Sequence, residues 1–245
     1  GETGWPSEGR QRETAIPSLV NQAKFIRGFV AMAEQNGWHY NLIEAFDQPW
    51  KRISEGAVGG YWGLYDADRQ DKSILAGAVS NLPHWPVWLA ASLILFVATL
   101  LFAGRPQSAR AALLLPLLAA LGAGCIGLFA ELTLVTSRYL GERLWGVALI
   151  MLNLLVLAHA ALQLSQTCGW RLQLRQWLSS KAALWLVLSG FAGAVMMLAL
   201  VMDARYRSFP SAALLLPAVV YLCQPVSGYR REVALLALLI GAGIA

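Results

Sequence analysis

Gly1-Glu2-Thr3-Gly4-Trp5-Pro6-Ser7 opens the chain, and the reading of this stretch decides the fold assigned to everything up to the first apolar run. Gly, Pro and Ser placed around a single Trp describe a tight loop leaving a strand end. An acidic residue at the start of such a loop points out of the scaffold, towards whatever binds above it. Trp5 adds a flat apolar face of the kind that packs on sugar rings. By residue type alone, a Glu at a loop start is more often a solvated charge or a partner for a helix end than a catalytic group.

The residues that follow supply the scaffold. Glu8 to Glu13 read as a charged, solvated turn, the favoured reading over one in which Arg10 or Arg12 lines a substrate cleft. From Pro17 to Asn36 the apolar residues Leu19, Ala23, Ile26, Val30 and Ala33 recur at three- and four-residue spacing, which predicts an amphipathic helix. Pro17 or Ser18 suits its start, and Asn36-Gly37 its stop. Trp38 to Phe46 comes next, where Tyr40, Leu42, Ile43 and Phe46 predict a buried strand. A helix returning the chain to a parallel strand is the repeating unit of a β/α barrel, whose chemistry sits at the carboxyl ends of its strands. Glu2 and the segment Glu44 to Lys51 would then share one rim. Gly56 to Tyr65 is rich in Gly and aromatic residues but lacks the Gly-Lys-Ser/Thr ending of a phosphate loop. It reads as a close-packed strand or turn beside the rim, with Trp62 and Tyr65 either in the core or extending a sugar platform. Asp66 to Lys72 reads as a charged surface turn, too sparsely acidic for calcium.

Glu2-Thr3-Gly4-Trp5-Pro6-Ser7 resembles the nucleophile motif of the family 17 glycoside hydrolases, which act on β-1,3-glucans. Glu44-Ala45-Phe46-Asp47-Gln48-Pro49-Trp50-Lys51 resembles the segment that ends the last barrel strand in fungal and bacterial members. Two such blocks in the right order are more specific than either alone, and the likeness covers roughly Gly1 to Lys72. The resemblance implies the last βα units of a TIM-type (β/α)8 barrel, a retaining mechanism, and Glu2 as nucleophile. It implies substrate contacts from Trp5, Phe46, Gln48, Trp50 and Lys51: the aromatic rings against glucosyl rings, Gln48 and Lys51 towards hydroxyls or the nucleophile, with Asp47 in a similar polar role. Gln48 stands where many members have Glu, so a charged role does not carry over to it. Asn21 and Phe25 match polar and aromatic positions of the family's corresponding helix, with core or cap roles. Glu44 reads as a structural carboxylate paired with a neighbouring base, and Glu55 as a surface Glu at a position that supports the cleft in the family. The general acid of this family lies on an earlier strand, upstream of this chain, and is assigned to neither Glu44 nor Glu55. No cofactor and no metal are implied. The expected activity is hydrolysis of β-1,3-glucan or glucanosyl transfer. The competing reading is a non-catalytic membrane anchor or glucan-export component.

The second part of the chain has a different composition. Overall, 57% of the 245 residues are hydrophobic and 13% charged, against roughly half and a quarter in soluble domains. The excess lies beyond about Trp85, which divides the chain into a soluble segment, 1–81, and an all-α polytopic membrane region, 82–245, with Asn81-Leu82-Pro83 as the linker. Five spans are expected, at Val87–Ala103, Ala111–Ala130, Leu144–Leu164, Ala182–Met202 and Phe209–Cys223, with a truncated sixth from Val233. Trp85 and Trp88 suit an interfacial belt.

Charge sets the orientation. With the soluble segment outside, the inner loops carry Arg105, Arg110, Arg171, Arg175, Lys181, Arg230 and Arg231. The outer loops carry Arg138, Arg143, Arg205 and Arg207. The bias favours an extracytoplasmic catalytic segment, and the resemblance to bacterial members that join this domain to membrane spans implies a bacterial inner membrane. The net charge of +5 arises largely from these loops, and no basic stripe interleaved with aromatics marks a nucleic-acid surface. Cys125, Cys168 and Cys223, like His39, His84 and His159, are too scattered for a disulfide framework or a metal site. Glu131, Asn153 and His159 lie within or at the edges of spans, as helix-bonding groups or, less economically, as a transport site. The missing initiator Met, and a motif at position 2, point to a chain cut from a longer one. The apolar runs imply the lipid bilayer as a partner, and the resemblance implies β-glucan and a glucan synthase module beyond the chain end.

Overall fold

The computed structural model describes residues 1–202, 209–224 and 227–244. Arg205 and Arg207 of the orientation argument lie outside the described residues. The chain divides into two compact units, the first built on Gly1–Trp85 together with Thr133–Arg143, the second on the remaining apolar helices.

The first unit is a parallel strand–helix–strand arrangement. Strand β1 (Glu2–Thr3) leads to helix α1 (Leu19–Asn36), which returns the chain to β2 (Asn41–Leu42). The strands pair in parallel, Glu2 opposite Asn41 and Thr3 opposite Leu42. The helix boundaries follow from local chemistry. Ser18 is extended, and its Oγ accepts a hydrogen bond from the Asn21 amide at 3.1 Å, satisfying one of the free N–H groups of the first turn. Gly37 ends the helix at φ 67°, a left-handed conformation that glycine adopts without steric cost. The apolar stripe packs Ala23 and Ile26 against Ile74, with Leu19, Phe25, Val30, Leu42 and Leu64 around them.

Three features refine the expected architecture. First, the regular strand covers Asn41–Leu42 rather than Trp38 to Phe46, and Trp38, Tyr40 and Phe46 are exposed rather than buried. Beyond Leu42 the backbone turns at Glu44, whose φ of 53° is incompatible with continued pleating. Second, the sheet of two two-residue strands gives this unit one parallel βαβ step, and a complete barrel rim is not among the described residues. Third, of the close-packed strand or turn expected over Gly56 to Tyr65, the turn forms. A short helix, α2 (Arg52–Glu55), leads into a 3-10 turn at Ala57–Gly60. Gly63 then passes so close to the preceding loop that a Cβ there would lie 2.2 Å from the Asp47 amide nitrogen.

The second unit is helical. Among the described residues, four helices have the length and apolar composition to cross a membrane, consistent with a multi-pass membrane protein: α3 (Trp85–Ala103), α4 (Ala109–Thr136), α5 (Leu140–Gln163) and α7 (Ala182–Met202). Between α5 and α7 runs a short amphipathic helix, α6 (Trp170–Ser180), where a basic loop was expected. Helix α8 (Ala212–Cys223) has 12 residues, fewer than the ~20 of a regular span, and contains Pro217. Helix α9 covers Arg230–Ile244. Val156, Leu157 and Ala160 of α5 pack with Cys125 and Ile126 of α4 and Leu216 and Val220 of α8. Asn153 crosses between helices, its Nδ2 donating to the carbonyls of Leu149 and Ala213, both at 2.9 Å.

Candidate active site

Glu2 lies on β1 with its side chain exposed, and Asn41 Nδ2 stands 3.5 Å from its Oε1. The parallel ladder holds this strand: the Asn41 amide donates to Gly1 O and the Ile43 amide to Thr3 O, at 3.0 and 2.9 Å. Gly4 is required beside it, because a Cβ there would meet Ile43 Cγ2 at 2.1 Å.

Lys51 belongs to a 3-10 turn, Pro49–Lys51. Its ammonium is hydrogen-bonded to Glu44 Oε1 and lies 3.8 Å from Glu55. The bond to Glu44 holds the Lys51 pKa above its usual value, and the charges of Glu44, Glu55 and Glu2 act in the same direction, against a desolvation effect. Glu44, Lys51 and Glu55 thus form one ion-paired neighbourhood. The Glu44 carboxylate is well covered, and its second oxygen, Oε2, is buried without a hydrogen-bond partner among the described residues. The base that the sequence reading expected beside Glu44 is therefore Lys51.

The aromatic residues separate. Trp50 is 67% exposed, with Lys51 Nζ 5.7 Å from its ring centroid, and offers an open face next to that neighbourhood. Phe46 is also exposed on one side, tilted against Tyr65 at 5.6 Å with the Arg69 guanidinium 5.8 Å from its ring. Gln48 is half-buried, and its carbonyl accepts from the Lys51 amide at 2.9 Å. Trp5 is turned towards α1. Its ring lies 5.5 Å from Phe25, and its indole N–H donates to Ile16 O at 3.2 Å. Asn21 and Phe25 take cap and packing positions: Asn21 Nδ2 donates to Ile16 O at 2.9 Å.

A second polar cluster has no counterpart in the sequence reading. Lys72, expected in a surface turn, has a buried side chain. Its ammonium pairs with Asp47 Oδ1 at 2.7 Å and donates to Ser7 Oγ at 3.0 Å and Gly63 O at 2.9 Å. Asp47 Oδ1 also accepts from the Gly63 amide at 2.9 Å. Asp47 is therefore committed to joining separate segments, and Oδ1 is not open to the sugar hydroxyls considered for it. Burial pushes the Asp47 and Glu8 carboxyls up and the Lys72 ammonium down, with Lys72 and Asp47 each partly offsetting the other's shift. Next to this cluster lies a cleft of about 510 Å³ lined by Glu8, Asp47, Arg52, Tyr61, Lys72 and His84. A single Lys at the end of an acidic run carries no sequence signal of burial. Only the tertiary approach of Gly63 to the Asp47 loop creates the enclosed site.

Residues 1–63 match the BtgE/BtgC glycoside hydrolase domain. The matched segment ends at Gly63 and contains β1, α1, β2 and both motif blocks. Among curated proteins, the chain is similar to a glucan 1,3-beta-glucosidase of Candida albicans, 35% identical over 74 residues, covering 28% of this chain and 23% of that protein. A glucan 1,3-beta-glucosidase of Saccharomyces cerevisiae is 36% identical over 69 residues, 26% of this chain and 21% of the relative. A probable glucan endo-1,3-beta-glucosidase of Aspergillus fumigatus is 32% identical over 85 residues, 29% and 12% respectively. The chain spans about a quarter or less of the length of these relatives. No solved structure gives a significant match. The N-terminal part is thus related to family 17 glycoside hydrolases, and the relationship falls on the unit that carries Glu2 and Lys51.

Proposed function

We propose that this chain contributes the nucleophile-bearing end of a retaining enzyme acting on β-1,3-glucan outside a membrane in which its apolar helices are anchored. The observation that carries the proposal is the parallel βαβ step that holds Glu2 on β1 beside Asn41 of β2, within the residues that match a glycoside hydrolase domain. In this reading the Glu2 carboxylate attacks the anomeric carbon as the bond to the leaving oxygen breaks. A general acid from an earlier strand protonates that oxygen. The resulting glycosyl ester is opened by water, which returns a proton to the acid/base residue, or by a hydroxyl of a second glucan, which gives transfer. Lys51, tied to Glu44 and Glu55, keeps positive charge near the strand end from which Glu2 acts. Trp50 supplies the open ring against which a glucosyl unit stacks, with Phe46 and Gln48 at the flank. Trp5 acts in this reading by setting the Gly4–Ser7 loop against α1.

The mechanism makes the polypeptide depend on a barrel whose remaining strands supply the acid. The chain by itself is expected to leave laminarin intact, and the protein with a complete barrel to degrade or elongate it. The decisive variant is Glu2→Gln in that complete protein. Loss on the order of a thousandfold in turnover, with glucan binding retained, is the expected result. Turnover equal to the parent would remove Glu2 from the chemistry and favour the rival reading of a glucan-binding anchor or export component. Longer or branched products at high glucan concentration would identify transfer rather than hydrolysis.

A further inference from the structure

The second unit carries an uneven charge distribution at one end. The turn between α3 and α4 and the start of α4 hold Arg105 and Arg110, and the segment between α5 and α7 holds Arg171, Arg175 and Lys181. Neither segment, 104–110 or 164–181, contains an Asp or Glu. Among the described residues, none of these five cations lies within ion-pair distance of a carboxylate.

The two segments are physically joined. The Gln166 amide donates to Arg105 O at 2.8 Å, and the Gln107 amide to Leu164 O at 3.0 Å. Arg171 reaches across to α3, where Nη2 donates to Leu101 O at 3.3 Å and the guanidinium covers Gly104 so closely that a Cβ there would meet Nη1 at 2.8 Å. Its Nε is buried and has no acceptor among the described residues. Arg175 follows one helical turn later on the same side. Two guanidinium groups at the end of apolar helices, with no carboxylate in ion-pair range among the described residues, suit an anion with several oxygens.

Helix α6 provides the rest of the surface. Trp170, Leu174, Trp177 and Leu178 recur at helical spacing and form its apolar stripe. Leu178 is buried, while Trp170 and Trp177 are 58% and 50% exposed even though they touch Phe102 and Trp185. Its 11 residues are too few to span, and exposed indoles beside arginines at the ends of spanning helices belong at headgroup depth.

We propose that the α3–α4 turn and α6 together form a binding surface for anionic phospholipid headgroups, with α6 lying flat in the membrane interface. The lipid phosphate occupies the Arg171–Arg175 side, its acyl chains run beside Trp170 and Trp177, and the remaining cations hold further acidic lipids. This surface is independent of the glucan chemistry.

The test is native mass spectrometry of the full-length protein taken from membranes containing equal amounts of phosphatidylglycerol and phosphatidylcholine. The parent protein should retain phosphatidylglycerol several-fold over phosphatidylcholine, and the preference should shrink as ionic strength rises. Arg171→Gln with Arg175→Gln should reduce retained phosphatidylglycerol on the order of tenfold, whereas the paired lysine substitutions, which keep the charge, should hold most of it. Arg12→Gln, in the first unit, should change nothing. Equal retention of the two lipids by the parent protein would overturn the proposal, as would undiminished phosphatidylglycerol in the double glutamine variant. The parent measurement decides the matter even if that variant fails to fold.

Discussion

Lys72 makes the most consequential side-chain contacts of the first unit after those around Glu2. Its ammonium ties Ser7, Asp47 and Gly63 together from a buried position. Lys72→Met would leave the Asp47 carboxylate enclosed without its cation, and the local structure should lose about 3 kcal/mol, read as faster hydrogen exchange of the Gly63 amide. Unchanged exchange would show that the pair contributes nothing. The pH dependence has a definite sign. Burial raises the Asp47 pKa, so the folded state keeps this proton to higher pH than the unfolded chain. Its stabilising effect is full below the ordinary Asp value and is lost as pH climbs through the raised one. The Lys72 pKa is lowered, so its contribution is full above the ordinary Lys value and is lost as pH falls through the lowered one. Asp47→Asn should abolish the acid-side change in Gly63 protection. At this scale the sequence was informative where a residue acts through its neighbours in the chain, as Ser18, Asn21 and Gly37 do. It was uninformative for Lys72 and Trp5, whose surroundings come from distant segments: Trp5 meets Phe25 and Ile16, not an open cleft.

At the scale of elements, α1 was legible because a strong apolar period, an N-cap Ser and a terminal Gly agree on its limits. Ser18→Ala should therefore cost about 1 kcal/mol, measured as faster amide exchange over the first turn of α1, and a loss below a few tenths would show that the cap is dispensable. The strand was legible in place but not in length. Apolar spacing over Tyr40, Leu42, Ile43 and Phe46 cannot show that Glu44 adopts a left-handed backbone and ends the pleat. Helix α6 escaped notice for a related reason. It carries Arg171, Arg175, Gln173 and Gln176 between two long apolar runs, and by composition it looks like a basic loop until helical spacing aligns its Trp and Leu residues. The long apolar helices left no such ambiguity, because a run of that length has few alternatives to spanning. Their ends moved by a few residues, and the fifth apolar run forms a shorter helix than expected, with Pro217 inside it.

Considered as a whole molecule, the chain couples a unit related to glycoside hydrolases to a set of apolar helices with a basic loop bias. If the first unit faces outwards, tracing through α3, α4 and α5 brings Cys168, which is exposed, to the inner side. Orientation can be read with a membrane-impermeant maleimide on intact spheroplasts, using a variant with Cys125 and Cys223 replaced by Ala. Arg12 is exposed in the first unit, so a Cys in its place should be labelled at once, and Cys168 only after permeabilisation. The opposite pattern would reverse the orientation. The central claim concerns a single carboxylate and can be tested by trapping it. The complete protein, incubated with a laminarin-derived glycosyl fluoride bearing fluorine at C2, should accumulate a covalent adduct, because the substituent slows release of the glycosyl ester. Peptide mass spectrometry should place that adduct on Glu2. An adduct on another carboxylate, or full loss of activity with Glu2 unmodified, would contradict the account.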